Sequence, residues 1–310
     1  MKVAILMSTY NGEKYLQSQI DSIKKQEYKD WNLYIRDDNS SDNTREIIEQ
    51  NERIDSRIVW INKDEKDNVG VKMSFLKLMD TVNSDFYMFC DQDDIWLPNK
   101  VKMSLEYAKR VNSNVPFLLH TNLTTIDSEE KVINNEVHKK KVSDDLSTML
   151  NTNSVTGCTV LFNNSLKEKM LSDYRFVDDM VMHDWWFALC AKTMGKIVYV
   201  RTPTILYRIH GGNVVGTDTS LLKRLNKLSD YEKELEHQKH AIRQSKRILK
   251  LHSTDMNDDS RRVIETFNKL SGMNFFNRMK TIKKFHFRKN SFLGSLSLVN
   301  MYAFNNSHLH

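Results

Sequence analysis

The chain has 310 residues, 40% of them hydrophobic and 28% charged, with a formal net charge of +6. This fits a soluble globular protein with room for one large domain, or for a catalytic domain and an appendage. No apolar run reaches the roughly 18 residues of a membrane-spanning helix. Cys90, Cys158 and Cys190 are odd in number and widely spaced, which points to buried thiols in a reducing cytosol.

Lys2 to Met7 is a near-continuous apolar run, the pattern of a strand covered on both faces. It is too short for a secretory signal, since polar Ser8-Thr9-Tyr10-Asn11-Gly12 follows at once. Tyr15, Leu16, Ile20 and Ile23 then recur at helical spacing. Leu33 to Ile35 reads as a second strand, ending in Arg36 to Thr44, whose Asp, Asn and Ser suit turns and helix N-caps. A helix through Ile47 and Ile48 follows, then a strand over 58–61 and a helix marked by Val71, Phe75, Leu76, Leu78 and Met79. Residues 86–90 make a fourth strand. This alternation predicts an α/β fold, with a mostly parallel central sheet and helices on both faces.

The fourth strand ends in Asp91-Gln92-Asp93-Asp94-Ile95-Trp96-Leu97-Pro98. So much negative charge at a strand end is costly unless a cation sits there. A hard divalent ion with oxygen ligands, Mn²⁺ or Mg²⁺, meets that need; a solvated acidic turn is the plainer reading. In open α/β sheets ligands bind beyond the carboxyl ends of the strands. Three polar clusters are expected there: Thr9-Tyr10-Asn11, Asp37-Asp38 and Asp91 to Asp94. Neither G-x-G-x-x-G nor G-x-x-x-x-G-K-[ST] occurs, which argues against a dinucleotide dehydrogenase and a P-loop kinase.

Residues 8–12, 36–44 and 91–98, in this order, resemble the three landmarks of the family 2 glycosyltransferases, which have the GT-A fold. The resemblance spans residues 1–215 or so. It implies transfer of a sugar, with inversion, from a nucleotide-diphosphate donor, with Mn²⁺ or Mg²⁺ as cofactor. It places Thr9, Tyr10, Asn11, Asp38, Asp91 and Gln92 on the donor, with Asp38 at the pyrimidine edge and Asp91 facing both ribose and metal. Asp93 becomes the main metal ligand and Asp94 its support.

Downstream, Pro116 to His120 reads as a strand and residues 127–145 as a mobile polar loop over the site. Thr156 to Phe162 reads as a strand opened by Gly157, a residue that permits close approach of a ligand. In the family this segment lies beside the sugars, which puts Gly157 on the acceptor side. His183-Asp184-Trp185-Trp186 opens an apolar helix. Asp184 there is either a partner for the helix dipole or a general base, because an inverting transfer needs a carboxylate to take the acceptor's proton. The motif is similar to the family's acceptor-side Glu-Asp, with His for Glu. That resemblance puts the base on Asp184 and the acceptor against His183, Trp185 and Trp186, although both Trp rings also suit a core. Residues 197–200 and 205–208 predict two strands split by Pro203. Tyr207-Arg208-Ile209-His210 also resembles the family, where this segment closes over the diphosphate. Arg208 is thereby assigned to phosphate charge and His210 to the metal or a phosphate; a polar loop His is the plainer reading.

The expected division is a catalytic domain over 1–217, with donor half 1–98 and acceptor half 99–217, and a basic helical C-terminal extension over 218–310. Residues 218–310 carry 18 Lys and Arg against 9 Asp and Glu. Leu221, Leu222, Leu225 and Leu228, then Ile242, Ile248 and Leu249, recur at helical spacing. Residues 275–289 alternate apolar side chains with cations, as a helix in a membrane interface does; packing on this chain or on a second copy in a homodimer is the other reading. The implied setting is cytoplasmic and peripheral, at the inner face of the membrane, with a saccharide or lipid-linked saccharide acceptor and no nucleic acid. Asp91 to Trp96 together with His183 to Trp186 look like the motifs of bacterial rhamnosyltransferases of capsule and cell-wall polysaccharide, so dTDP-rhamnose is expected first and a UDP-hexose second. A nucleotidyltransferase is the first alternative, but its Gly-rich, Arg-containing loop is missing. A non-catalytic GT-A-like binding module is the second, and intact Asp38, Asp91, Asp93 and Asp184 argue against it.

Overall fold

The computed structural model describes residues 1–138, 142–211 and 227–304. They fall into two compact units. The first comprises Met1–Lys141, Val155–Val177 and Lys196–Gly216; the second comprises Val142–Ser154, Asp178–Gly195 and Thr217–His310. The second unit therefore takes two segments from inside the range 1–217 in addition to the extension.

The first unit is built on one sheet. Its strands are β1 (Val3–Thr9), β2 (Trp31–Asp37), β3 (Ile58–Trp60), β4 (Phe86–Cys90), β5 (Ile95–Trp96), β6 (Phe117–Ile126), β7 (Val132–Asn134), β8 (Val160–Asn163) and β9 (Lys196–Arg208). The order is β3-β2-β1-β4-β8-β6-β9-β5, with β7 beside β6. The run β3-β2-β1-β4 is parallel throughout. Beyond it β8 runs antiparallel to both β4 and β6, β5 is antiparallel to β9, and only β6 and β9 are parallel. The sheet is thus mixed, and the parallel expectation describes its first half.

The continuous apolar character of β1 has a direct cause: both of its faces are covered. Val3, Ile5 and Met7 join a core with residues of α1 (Leu16–Lys24), α2 (Thr44–Ile54) and α4 (Lys100–Ala108). On the opposite face, Phe75 of α3 (Gly70–Thr81) meets Phe89 at 4.9 Å, and Phe89 meets Phe162 at 4.9 Å. Leu166 and Met170 of α6 (Asn164–Leu171) are also fully buried. From β1 the chain runs outward to β2 and β3, then returns to β4 on the other side of β1. The carboxyl ends of β1 and β4 therefore flank a topological switch point, the usual place for a ligand in such sheets.

Three local expectations are corrected. The two strands expected around Pro203 are one strand, β9. Pro203 has no N–H to give, and the β6–β9 register shifts around its partner Asn122 instead of breaking the strand. The loop expected over 127–145 contains β7, where Val132 and Asn134 pair with Ile126 and Thr125 of β6 around an irregularity; its residues 139–141 lie outside the described residues. Gly157 opens a 3-10 turn over Gly157–Thr159, not a strand, and β8 begins only at Val160.

The second unit is helical: α5 (Leu146–Met149), α7 (His183–Met194), α8 (Lys227–His252), α9 (Asp258–Lys269), α10 (Phe275–Phe285) and α11 (Phe292–Phe304). The expected helical Leu221, Leu222 and Leu225 lie outside the described residues. Helix α7 is buried on nearly every side, which explains its lack of a polar face. Asn257 and Asn274 cap α9 and α10, accepting from the amides of Ser260 and Asn277. Among the described residues no helix is long and apolar enough to cross a membrane.

Candidate active site

The loops after β1 and β2 form one hydrogen-bonded body. Thr9, buried at the end of β1, donates its hydroxyl to Asp37 at 2.9 Å. Asp37 also accepts from the Ser40 amide and hydroxyl, and its backbone is held on both sides by Asn62. Asp38 is buried as well. Its carboxylate accepts from Arg36 at 2.6 Å and from the amides of Val69 and Gly70, both at 2.8 Å. Asp38 thus ties the β2 loop to the start of α3. Asn11 and Asn39 adopt left-handed φ values of 46° and 66°, which Asn tolerates better than most residues. Tyr10 stands exposed.

Gln92 joins this body to the acidic turn. Its side-chain carbonyl accepts from the Tyr10 amide at 2.8 Å, and its amide donates to the Tyr10 carbonyl at 2.9 Å. Gly12 leaves room for this clasp: a Cβ there would lie 2.2 Å from the Gln92 Oε1 and displace the side-chain amide.

The acidic turn has an outer and an inner part. Outside, the His210 Nε2 lies 2.7 Å from an Asp93 carboxylate oxygen, and the His210 ring rests against Tyr15 at 5.2 Å. Inside, Asp94 is fully buried and accepts from the Arg208 amide at 3.1 Å. The carboxylates of Asp91 and Asp94 and the Cys158 thiol lie within 4.8 Å of one another. Burial, then the charges of Asp93 and Asp91, push the Asp94 carboxyl well above its usual range. Burial, then Asp94 and Asp91, likewise keep the Cys158 thiol protonated. Asp91 and Asp93 carry the carboxylate oxygens that Mn²⁺ or Mg²⁺ accepts, and His210 sits against Asp93; a protonated buried thiol does not suit such an ion.

Arg208 holds the turn from beneath. It is 1% exposed. Its guanidinium donates to the Asp93 carbonyl at 2.9 Å and to Glu130 at 3.1 Å, and lies 4.5 Å from the Tyr15 ring centre. The phosphate role expected of Arg208 thus falls on a guanidinium already engaged by the protein. Lys100 is also fully buried, and burial lowers its pKa to about 8.

The acceptor-side residues lie in the second unit, apart from Gly157. Asp184 is 7% exposed in the first turn of α7. Its Oδ1 accepts from Asn153 at 2.9 Å and from the Trp185 amide at 2.6 Å. His183 is buried beside it in sequence. Trp185 and Trp186 occupy the core position that their rings also suit. Both are buried, and Trp185 donates to the Met149 carbonyl at 2.7 Å and stacks on His237.

The profile of Glycosyl transferase family 2 matches residues 4–169. The chain belongs to this family. A dTDP-rhamnosyl transferase of Shigella flexneri, RfbG, is 29% identical over 230 residues, covering 72% of this chain and 78% of that protein. An Escherichia coli enzyme, UDP-Glc:alpha-D-GlcNAc-diphosphoundecaprenol beta-1,3-glucosyltransferase WfgD, is 36% identical over 118 residues, 37% of this chain and 44% of its own. The structure of S. aureus TarS 1–349 with UDP-GlcNAc superposes with a TM-score of 0.58 at 14% identity, over 99% of this chain and 90% of that one. The fold is accordingly the GT-A fold with a helical C-terminal part.

Several site residues of this family 2 chain escaped sequence reasoning. Tyr15 looked like one more apolar position of α1, and Glu130 like one polar residue in a loop. Glu130 has a left-handed φ of 66°, a conformation that a Glu carries no sequence signal for. Asn153 had no motif around it.

Proposed function

We propose that this family 2 glycosyltransferase moves a sugar, with inversion, from a nucleotide-diphosphate donor to a saccharide or lipid-linked saccharide, in bacterial surface polysaccharide synthesis. The observation that carries the reading is the acidic turn Asp91 to Asp94, paired with His210 and clasped by Gln92 to the β1 loop at the switch point of the sheet. Similarity to RfbG favours dTDP-rhamnose as donor, with a UDP-hexose next. Similarity to WfgD favours a lipid-linked acceptor and a peripheral position at the membrane.

Asp91, Asp93 and His210 would hold Mn²⁺ or Mg²⁺. Such an ion, when bound, supplies positive charge for the departing diphosphate. The exposed Tyr10 offers a ring to the nucleotide, and Asn11 and Gln92 fix the loop that presents it. Thr9 and Asp38 shape this wall from within through their bonds to Asp37 and to the start of α3. Arg208 and Asp94 set the acidic turn from below. Asp184 takes the proton of the acceptor hydroxyl, oriented by Asn153.

A thermal-shift panel of nucleotide sugars, with and without Mn²⁺, tests this reading. A donor at about 100 times its Kd stabilises the fold by roughly 2.7 kcal/mol, so dTDP-rhamnose with metal raises Tm by several degrees. Release of nucleoside diphosphate then identifies transfer. No metal-dependent shift with any donor, or release of pyrophosphate instead, would sink it.

A further inference from the structure

Helices α10 and α11 form an antiparallel hairpin. Arg278, in the first half of α10, is buried and donates to the carbonyl of Tyr302, in the last turn of α11. The inner side is ordinary core: Ile282, Leu298, Met301 and Tyr302 are buried. The outer side is not an ordinary surface. Phe276 is 81% exposed, Phe292 83%, Leu293 73% and Leu296 50%. Exposed apolar residues scattered singly are normal, but a group on one element marks an interaction surface. Here α11 is apolar outside as well as inside.

The charge around this surface selects the partner. Lys280, Lys283, Lys284 and Arg288 are exposed on the same hairpin, and no Asp or Glu follows Glu265 in the sequence. A second copy meeting this face with its own would set like charges together with no acid to answer them. An anionic bilayer answers both features, taking the cations at its headgroups and the apolar side chains at the acyl boundary.

We propose that the outer face of the α10–α11 hairpin docks on an anionic lipid surface, with Phe292, Leu293 and Leu296 entering the interface and Lys280, Lys283 and Lys284 at the headgroups. This deepens the lipid-linked acceptor reading above and assigns the contact to α11, a helix that lies beyond the basic stretch 275–289. The segment between the helices also reaches the neighbourhood of the proposed base. Asn290 donates to Ser154 at 2.5 Å, and the adjacent Asn153 donates to Asp184.

Flotation of the full chain with vesicles of phosphatidylcholine, with and without phosphatidylglycerol, tests the proposal. Binding requires phosphatidylglycerol. The combined exposed-residue variant F292S/L293S/L296S lowers partition by about 100-fold. K280Q/K283Q/K284Q lowers it by about 100-fold at low salt, and added salt weakens the wild type in the same direction. Wild-type binding indifferent to phosphatidylglycerol, or an apolar triple variant that floats like wild type, overturns the proposal. So does a wild-type dimer that the apolar variant splits into monomers, which would assign the face to a second copy. Hydrolysis of soluble donor, measured without lipid in the same preparations, stays unchanged in both variants. Its absence from wild type would count against the transfer reading alone.

Discussion

Replacing Asp184 by Asn separates a base from a helix cap. The Asp184 Oδ1 accepts from the Asn153 side chain and from the Trp185 amide. Asn has nearly the same shape, and its carbonyl oxygen can accept both bonds, so the change removes charge rather than packing. The charge sits in the first turn of α7, where it interacts with the helix dipole for about 0.3–1 kcal/mol, and up to about 2 when partly buried. In a protein of this size each kcal/mol moves Tm by roughly 2–4 °C, so D184N melts only a few degrees lower. Loss of a positioned base, by contrast, lowers kcat by about 10²- to 10⁴-fold. The measurement is donor Kd by calorimetry beside kcat with a saccharide acceptor and a melting curve. Unchanged donor Kd with a large loss of kcat is the expected result. A kcat within a few-fold of wild type would refute the assignment and send the proton to another carboxylate. Asp179 is a poor substitute: burial would raise its pKa, but hydrogen bonds from Arg247 and Arg243 prevail and lower it. Asp178 would be tested next.

Asp93→Ala is expected to abolish transfer and metal-dependent donor binding with the fold intact; full activity in that variant, or in wild type with excess chelator, counts against the metal site. Gln92→Ala removes both side-chain bonds to Tyr10 at a cost of about 1 kcal/mol, since exposed groups recover water, and raises the donor KM more than it lowers kcat. Gly12→Ala expels the same amide, so the double variant should be no worse than either single one, and additive losses would show that the clasp is not shared. Burial lowers the Lys100 pKa to about 8, below its unfolded value of about 10.4. Between those values the unfolded chain binds more protons, so Lys100 makes stability rise with pH in that window and fall as pH drops through the folded pKa. Urea midpoints of wild type and K100M across that window should diverge in slope, and parallel slopes would contradict the buried charge.

What could be read from the sequence was local chemistry at strand ends. Thr9 to Gly12 and Asp91 to Asp94 are polar runs placed directly after apolar strands, and strand alternation fixes which edge they share. Contacts made across the chain were not readable. The Arg208 amide reaches Asp94 across 114 positions, and Tyr15 meets His210 only because β9 returns beside β5. No periodicity encodes either pairing. Trp185 and Trp186 were ambiguous for another reason. A helix buried on nearly every side has no polar stripe, so the sequence cannot show which face is open.

Four cations are almost wholly buried among the described residues of the first unit: Arg36, Lys100, Lys167 and Arg208. Burying a charge is justified energetically only where partners compensate it. Arg36 is paired with Asp38 and Glu65, and Arg208 with Glu130 and the Asp93 carbonyl. Lys100 donates to the Thr204 hydroxyl and lies 4.8 Å from the Trp96 ring centre, and Lys167 donates to the Val82 carbonyl and to Asn83. The bonds that hold Arg36 and Arg208 also shape the candidate donor site, so fold and site share their energy. Removing one partner of a buried pair such as Arg36–Asp38 costs roughly 3–5 kcal/mol; for Arg208, whose partner Glu130 is half exposed, the loss is of buried packing and of the bond to the Asp93 carbonyl. Arg36→Ala or Arg208→Ala is therefore expected to lose Tm and activity together. Asp93→Ala, Gln92→Ala and Asp184→Asn touch more open or shape-conserving positions and are expected to lose activity with little change in Tm. A melting curve beside each rate measurement separates the two groups. An Arg208→Ala protein that melts like wild type yet fails to bind donor would move Arg208 from the support of the acidic turn to the phosphate itself.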